Sequence, residues 1–515
     1  MKKLIYIISL IVSVSLFSSC EDFLTEKPES VLTQVDFFTT PTRINQGVIG
    51  CYAGLATTVR EEWTFTELRS DNTCQDSYGS STTARIDQTD VSVFRTSPSL
   101  PMLLDYWYAT FQNISNVNSV LPSVADNRYL PIESQRAQYE AELLFIRALH
   151  YYNLVNFFGD MFKITTVIGP NQAKQTPRSP VSEIYDEIII PDLIKASAQA
   201  PSGYSNTDKG RVTKWAAKSL LAKVYMMRGG AANIALAKPL LEEVLAAPEH
   251  GLLTGTNAFS QIFSTTNELN KEIIFAVRYK GGASGIGSPF WSSFAPLGSA
   301  NNFLKIGTPL GYNSPSFELR QVFMHDSIMV DLRKDVSFRV WEKSAASHVP
   351  YIFKYNDPAI SQALQAENDW ILLRYADIVL LYAEVLAQDG NHALAHNYVN
   401  QTRARAGLPA VDPYGSKTAA LDGVYAERRL ELAFENQRWF DLLRMGKSYD
   451  DPQKPVDILK KHVFVTDWDL LYSKYNPIQP PEERFFTVDR LLLPIPQTEI
   501  DTNNEMEIEQ NEGYN

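Results

Sequence analysis

Cysteine is scarce in this chain: three in 515 residues, at positions 20, 51 and 74. No CxxC pair and no Cys/His spacing of the zinc-binding kind occurs, and three thiols are too few for a disulfide framework. Long apolar runs are also missing. The longest, Leu4 to Phe17, covers 14 residues, short of the ~20 needed to cross a bilayer as a helix. Positive charge is in deficit, with 47 Lys and Arg against 59 Asp and Glu and a formal net charge of −12. Such a surface repels phosphate backbones and excludes nucleic acid as a partner. No GxSxG elbow, phosphate-cradling glycine loop or dinucleotide fingerprint appears. The seven histidines are scattered, and only His392 and His396 stand four apart. They lack a third ligand, so neither a metal nor a cofactor is expected, although a calcium site built from loop Asp and Asn residues would leave no mark in the sequence. Aromatic side chains, by contrast, are plentiful at 11%. That exceeds what a helical core requires, so some rings are expected to face solvent.

The first twenty residues have the layout of an export signal: Lys2 and Lys3, the apolar run, then Ser18, Ser19 and Cys20. Leu16-Phe17-Ser18-Ser19-Cys20 resembles a bacterial lipobox, with Phe17 where Leu is commoner. This implies a lipid on Cys20, whose acyl chains would anchor the mature protein. The alternative is a plain signal peptide cut near Ser19. Removal of residues 1–19 takes away two cations and no acid, leaving 45 against 59, a net charge of −14. Cys51 and Cys74 are either a disulfide or two free thiols.

Periodicity predicts a mostly α chain. Helices are expected over about 42–58, 103–121 and 133–157, the last closed by Gly159. Two helical hairpins are expected, 212–228 with 231–247 about Gly229-Gly230, and 370–388 with 391–406 about Gly390. In the second, Ala376, Ala383, Ala387, Ala393 and Ala395 allow close approach. Helix–turn–helix units of this kind suggest a tetratricopeptide-like array. Residues 70–101 read as a long loop with short strands at best, residues 251–365 as an irregular lobe, and 446–515 as mostly irregular. A charged helix is expected from Leu421 to Met445. There Arg428 with Glu431, Arg438 with Asp441, and Asp441 with Arg444 stand three apart and can pair along one face.

Several stretches together resemble the SusD/RagB family of Bacteroidota outer-membrane lipoproteins. They are Cys20-Glu21-Asp22-Phe23-Leu24, Asn156-Phe157-Phe158-Gly159-Asp160, residues 210–229, WILLRYADIVLLYAEVLA (370–387) with NQTRARAGLP (400–409), ERRLELAFENQRWFDLLR (427–444), and the tail 492–514. Phe162 and Glu512 stand where the family usually has Pro. The resemblance spans the mature chain. It implies one SusD-like unit from 20 to 515 after a leader at 1–19, divided as 20–130, 131–250, 251–365, 366–445 and 446–515. A tetratricopeptide-like scaffold would carry a loop-rich lobe with the ligand site. It further implies a cell-surface, lipid-anchored, non-enzymatic protein that binds a glycan and works with a SusC-like TonB-dependent transporter. The alternatives are a peptide ligand, a surface glycosidase, or a scaffold with no ligand of its own.

Sugars pack their C–H faces on aromatic rings, each ring covering ~100 Å² and contributing roughly 2.5 kcal/mol. Trp291, Phe290 and Phe294 lie among glycines and serines, and Tyr78 lies near Asp71, Asn72 and Asp76. Both regions converge on the ligand site in the family. Trp291 and Tyr78 are therefore the first candidates, with Phe290, Phe294, Asn72 and Asp76 beside them. Trp107, Trp215, Trp370 and Trp439 lie on helical stripes and read as core. The charged helix reads as structural, since salt bridges explain its residues without a cleft. So do Arg374 and Asp377, and Arg403 and Arg405 before Gly407 read as a helix end.

Overall fold

The computed structural model describes residues 37–75, 83–205, 207–282, 285–299, 302–304, 307–324, 330–344, 347–360, 362–462, 485–503 and 505–514. Cys20, Tyr78 and Asp76 lie outside these residues. The main helices are α1 (Pro41–Thr66), α2 (Thr83–Ser92), α3 (Pro101–Ala125), α4 (Glu133–Phe158), α5 (Ile190–Gln199), α6 (Lys214–Arg228), α7 (Gly230–Leu245), α8 (Phe290–Phe294), α9 (Tyr375–Gln388), α10 (His392–Arg405), α11 (Lys417–Glu431) and α12 (Arg438–Ser448). The main strands are β1 (Thr73–Cys74), β2 (Ile273–Val277), β3 (Ser314–Pro315), β4 (Phe338–Ser344), β5 (Ser347–Ile352) and β6 (Trp370–Arg374).

Local chemistry accounts for where the helices start and stop. Thr40, Thr213 and Ser416 each accept a backbone N–H in the first turn of α1, α6 and α11, and Pro41 occupies the first position of α1. The helices then stack in series: α1 on α3, α3 on α4, α4 on α5, α5 on α6, α6 on α7, α7 on α9, α9 on α10, and α11 on both α9 and α10. This is the tetratricopeptide-like array expected from the sequence. Ala376, Ala383, Ala387 and Ala395 are buried in the second hairpin, whereas Ala393 is exposed. Where α1 crosses α3, a Cβ on Gly54 would lie 2.2 Å from Asn113 Oδ1, so the crossing requires glycine.

Three elements differ from the sequence reading. The expected loop 70–101 contains α2. The expected helix 370–388 begins as β6, which pairs antiparallel with β2 before α9 starts at Tyr375. The WILLR run is apolar at every position but the last, so helix and buried strand share one sequence signature. Most of the irregular lobe (278–369) leaves and returns through this β2–β6 ladder, and its far end carries the β4–β5 hairpin. Pairing of β1 with β3 ties the N-terminal region to the lobe.

The expected helix 421–445 is two helices, α11 and α12, separated at 432–437 by positive φ at Phe434 (67°) and Asn436 (59°). Side chains satisfy the backbone of this break. Arg374 donates to the Glu431 carbonyl, Lys354 to that of Ala433, and the Tyr355 hydroxyl to that of Phe434. The expected i,i+3 pairs are only partly present. Asp441 accepts from Arg444 at 2.8 Å, but Arg428 reaches Asp377 and Asp441, and Arg438 reaches Asp71. Glu431 is shared by Arg333, Arg374 and Arg405. Arg405 therefore does more than end a helix. Burial raises the Glu431 carboxyl, but Arg405, Arg374 and Arg333 outweigh it and hold the group well below the usual carboxylate range. Asp377 and Asp71 are held low in the same way against burial, Asp377 by Lys223 and Arg428, Asp71 by Arg429 and Arg438.

Candidate functional site

The tryptophans separate core from surface. Trp63, Trp107, Trp215, Trp291, Trp370 and Trp439 are buried, and among the described residues Trp341 is the one that reaches solvent. Four of the buried ones were expected to be core. Trp291 was expected at the ligand with Phe290 and Phe294, and that exposure is corrected: the three are 1%, 0% and 1% exposed. The physical reason is that the stretch folds as α8, a single turn inserted between the scaffold and the lobe. Phe290 packs on Trp370 with ring centroids 4.3 Å apart, and Phe294 meets Trp63 edge-on at 5.6 Å. Asn72 is buried too, with its Oδ1 accepting from Arg429 at 2.9 Å.

Trp291 belongs to a second, smaller apolar cluster with Ala295, Leu304, Tyr351, Ile360 and Ala366. Over this cluster lie three half-buried rings, Phe303, Trp341 and Phe353. Phe353 meets Trp291 edge-on at 6.0 Å, Phe303 meets Tyr351 at 5.0 Å, and Trp341 meets Phe303 edge-on at 5.9 Å. Trp291 thus supports an aromatic patch from beneath instead of forming its surface. The patch is positioned by the hairpin register, Arg339 opposite Tyr351 and Trp341 opposite Val349. Alternation along β4 places Arg339 and Trp341 on one face, with Val340 and Glu342 on the other. The Arg339 guanidinium stacks 3.5 Å from the centre of the Phe353 ring, and Lys343 Nζ lies 5.9 Å from that of Trp341. Burial raises the Tyr351 phenol and the Arg339 cation works against it. Rings flanked by long polar side chains can stack on a sugar and hydrogen-bond its hydroxyls. The sequence signal was weak: Phe338-Arg339-Val340 alternates, but Trp341 falls out of phase with it before a polar turn.

A separate cavity of about 390 Å³ lies between α1, the 207–211 loop and β2, lined by Tyr52, Arg211 and Tyr279 among others. Its polar groups are engaged: the Tyr52 hydroxyl donates to Glu142, the Tyr279 hydroxyl to the Ala56 carbonyl, and Arg211 pairs with Glu142 and Asp208. It offers few free partners to a polar ligand. Among the described residues no group of three or more His, Cys, Asp or Glu side chains is placed to hold a metal, and no helix is long and apolar enough to cross a membrane. No disulfide joins Cys51 to Cys74, both are buried, and burial pushes the Cys51 thiol up to about 12. The acids of α11 and α12 that could suggest glycosidase chemistry are buried in ion pairs.

Comparison with known proteins agrees with this architecture. The model of the SusD family matches residues 342–514, and a model described as starch-binding associating with outer membrane matches residues 22–226. A SusD-like protein of Formosa agariphila is 28% identical, over 94% of each chain. Two solved structures share the fold. One is a laminarin-binding SusD-like protein, 24% identical, covering 92% of this chain and 100% of its own, TM-score 0.70. The other is surface glycan-binding protein A from Bacteroides thetaiotaomicron in complex with laminarihexaose, 20% identical, covering 92% and 100%, TM-score 0.71. Both of these solved proteins are glycan binders. The chain belongs to the SusD/RagB family.

Proposed function

We propose that this chain captures a glycan at the cell surface on the patch formed by Trp341, Phe303 and Phe353, and passes it to a TonB-dependent transporter of the outer membrane. A lipid on Cys20 would hold it there. The observation that carries the reading is Trp341: every other described tryptophan is in the core, and this one lies part-exposed over a packed aromatic support. Three rings grouped at a surface form an apolar patch of the kind that ligands cover. The glycan-binding relatives support the ligand class, and the family model's association with the outer membrane supports the location. Stacking of one sugar on one ring contributes roughly 2.5 kcal/mol, much of which association consumes. Affinities in the micromolar-to-millimolar range are therefore expected, as suits a carrier that must release its cargo.

The test is affinity electrophoresis of the soluble chain starting after Cys20 against a panel of neutral and charged polysaccharides, with Trp341→Ala alongside. Retardation of the parent and not of the variant, at equal melting temperature, is the expected result. A variant retarded as strongly as the parent would remove the site from the hairpin. Release of shortened products would overturn the carrier reading.

A further inference from the structure

The aromatic patch carries positive charge. Arg339 and Lys343 flank Trp341 on β4, and both are exposed. Their cationic groups stay on the side of the rings: Arg339 over Phe353, and Lys343 near Trp341 and 3.8 Å from the place a Cβ of Gly298 would take. Among the described residues no carboxylate forms an ion pair with either. The buried cations Arg333, Arg374, Arg405, Arg428, Arg438 and Arg444, by contrast, all lie against carboxylates. The nearest acid in sequence, Glu342, alternates to the opposite face, opposite His348. Arg339 also borders a cleft of about 350 Å³ whose charged lining is Arg320, Lys334, Arg339 and a single acid, Asp335.

Resting on the capture reading above, we infer that the ligand of this site is an anionic oligosaccharide, bearing uronate carboxylates or sulfate esters. Arg339 stands two residues from Trp341 on the strand, ~6.6–7 Å away, and Lys343, at the register shift after Glu342, brings its Nζ to 5.9 Å from the centre of the Trp341 ring, so the ring platform has two cations beside it. That spacing suits a pyranose stacked on the indole with an anionic substituent on either side. The Arg339 guanidinium, whose Nε donates to the Asp335 carbonyl at 3.1 Å, offers its terminal N–H groups to a carboxylate or sulfate, and the Lys343 ammonium a mobile point charge. A neutral glycan could accept hydrogen bonds from both cations but would leave them without a counter-charge, and charge-assisted hydrogen bonds are the stronger kind.

The experiment compares polymers that differ in charge alone. The soluble chain starting after Cys20 is run against polygalacturonate and its fully methyl-esterified form, and against a carrageenan and its desulfated form, with laminarin as a further neutral probe. Retardation by polygalacturonate or carrageenan and not by the uncharged counterpart is expected, and the member of the pair that binds separates carboxylate from sulfate. Lys343→Gln should weaken binding by roughly threefold to tenfold, as loss of one exposed charged contact does. Lys343→Glu should weaken it further, and both should melt with the parent because the side chain is exposed. Arg339→Gln provides a second variant. Equal retardation by the uncharged forms or laminarin, or unchanged binding in both Lys343→Glu and Arg339→Gln, would overturn the charge inference and leave glycan capture standing. Retardation by no polymer would overturn the capture reading itself, and this inference with it.

Discussion

Replacing Glu62 by Gln should stabilise the protein above neutral pH and leave it unchanged in mild acid. Glu62 lies near the C-terminal end of α1, is 5% exposed, and faces a small cavity lined also by Tyr152, Asn153, Lys223, Asn436 and Gln437. Its Oε1 accepts from Asn153 Nδ2 at 2.8 Å and from the Tyr106 hydroxyl at 3.3 Å. The cation across the cavity, Lys223, is committed to Asp377 at 2.7 Å. Burial therefore dominates and raises the Glu62 carboxyl from 4.5 to about 7, with the two hydrogen bonds opposing it. In the unfolded chain the group ionises near 4.5. Between that pH and about 7 the unfolded state loses its proton first, so the folded state loses relative stability as pH rises. Above the folded value the loss is complete, at roughly 3 kcal/mol. Gln retains an acceptor for Asn153 and Tyr106 and has no proton to lose. Guanidinium unfolding of parent and E62Q from pH 4.5 to 8.5 should show coincident curves at the acid end and a variant more stable by up to roughly 3 kcal/mol at pH 8. A difference that is the same at every pH would refute the reasoning.

Two further predictions concern stability. Arg374→Met should cost about 3–5 kcal/mol in the same unfolding assay, because Glu435, Glu431 and the Glu431 carbonyl all lose a donor inside the core; a loss under about 1 kcal/mol would mean that Lys354, Arg405 and Arg333 suffice without it. Gly159→Ala should cost about 1–3 kcal/mol, since its φ of 75° disfavours a side chain and a Cβ would stand 2.9 Å from Leu492 Cδ1. Hydrogen exchange should show faster opening of the Leu493 N–H to Phe157 carbonyl bond beside it.

Much of the scaffold was legible because its signals are local. Apolar residues at three- and four-residue steps, the glycines at 159, 229, 230 and 390, and the buried alanines of the second hairpin all act within a few residues of themselves, and the helices formed where they indicate. The charged stretch 427–444 was correctly read as structural, but its partners were not, since Arg428 finds Asp377 and Glu431 finds Arg333 only after distant segments meet. The break at 432–437 has the same origin: its carbonyls are satisfied by Arg374, Lys354 and Tyr355, none of them near in sequence.

The candidate site shows the same division. Composition pointed to more rings than a helical core needs and to a surface that repels phosphate polymers, and the layout of the first twenty residues pointed to export. Which ring meets solvent was decided by tertiary structure. Trp291 sits in a stretch that looks open in sequence, yet α8 turns it into the second apolar cluster, while Trp341 lies half-buried over that cluster on the hairpin that covers it. Exposure is a property of what other segments cover, and the covering segments here come from distant positions, Trp370 over Phe290 and Trp63 over Phe294. Local sequence sets the conformation a segment can adopt; long-range packing sets which of its side chains remain free to act.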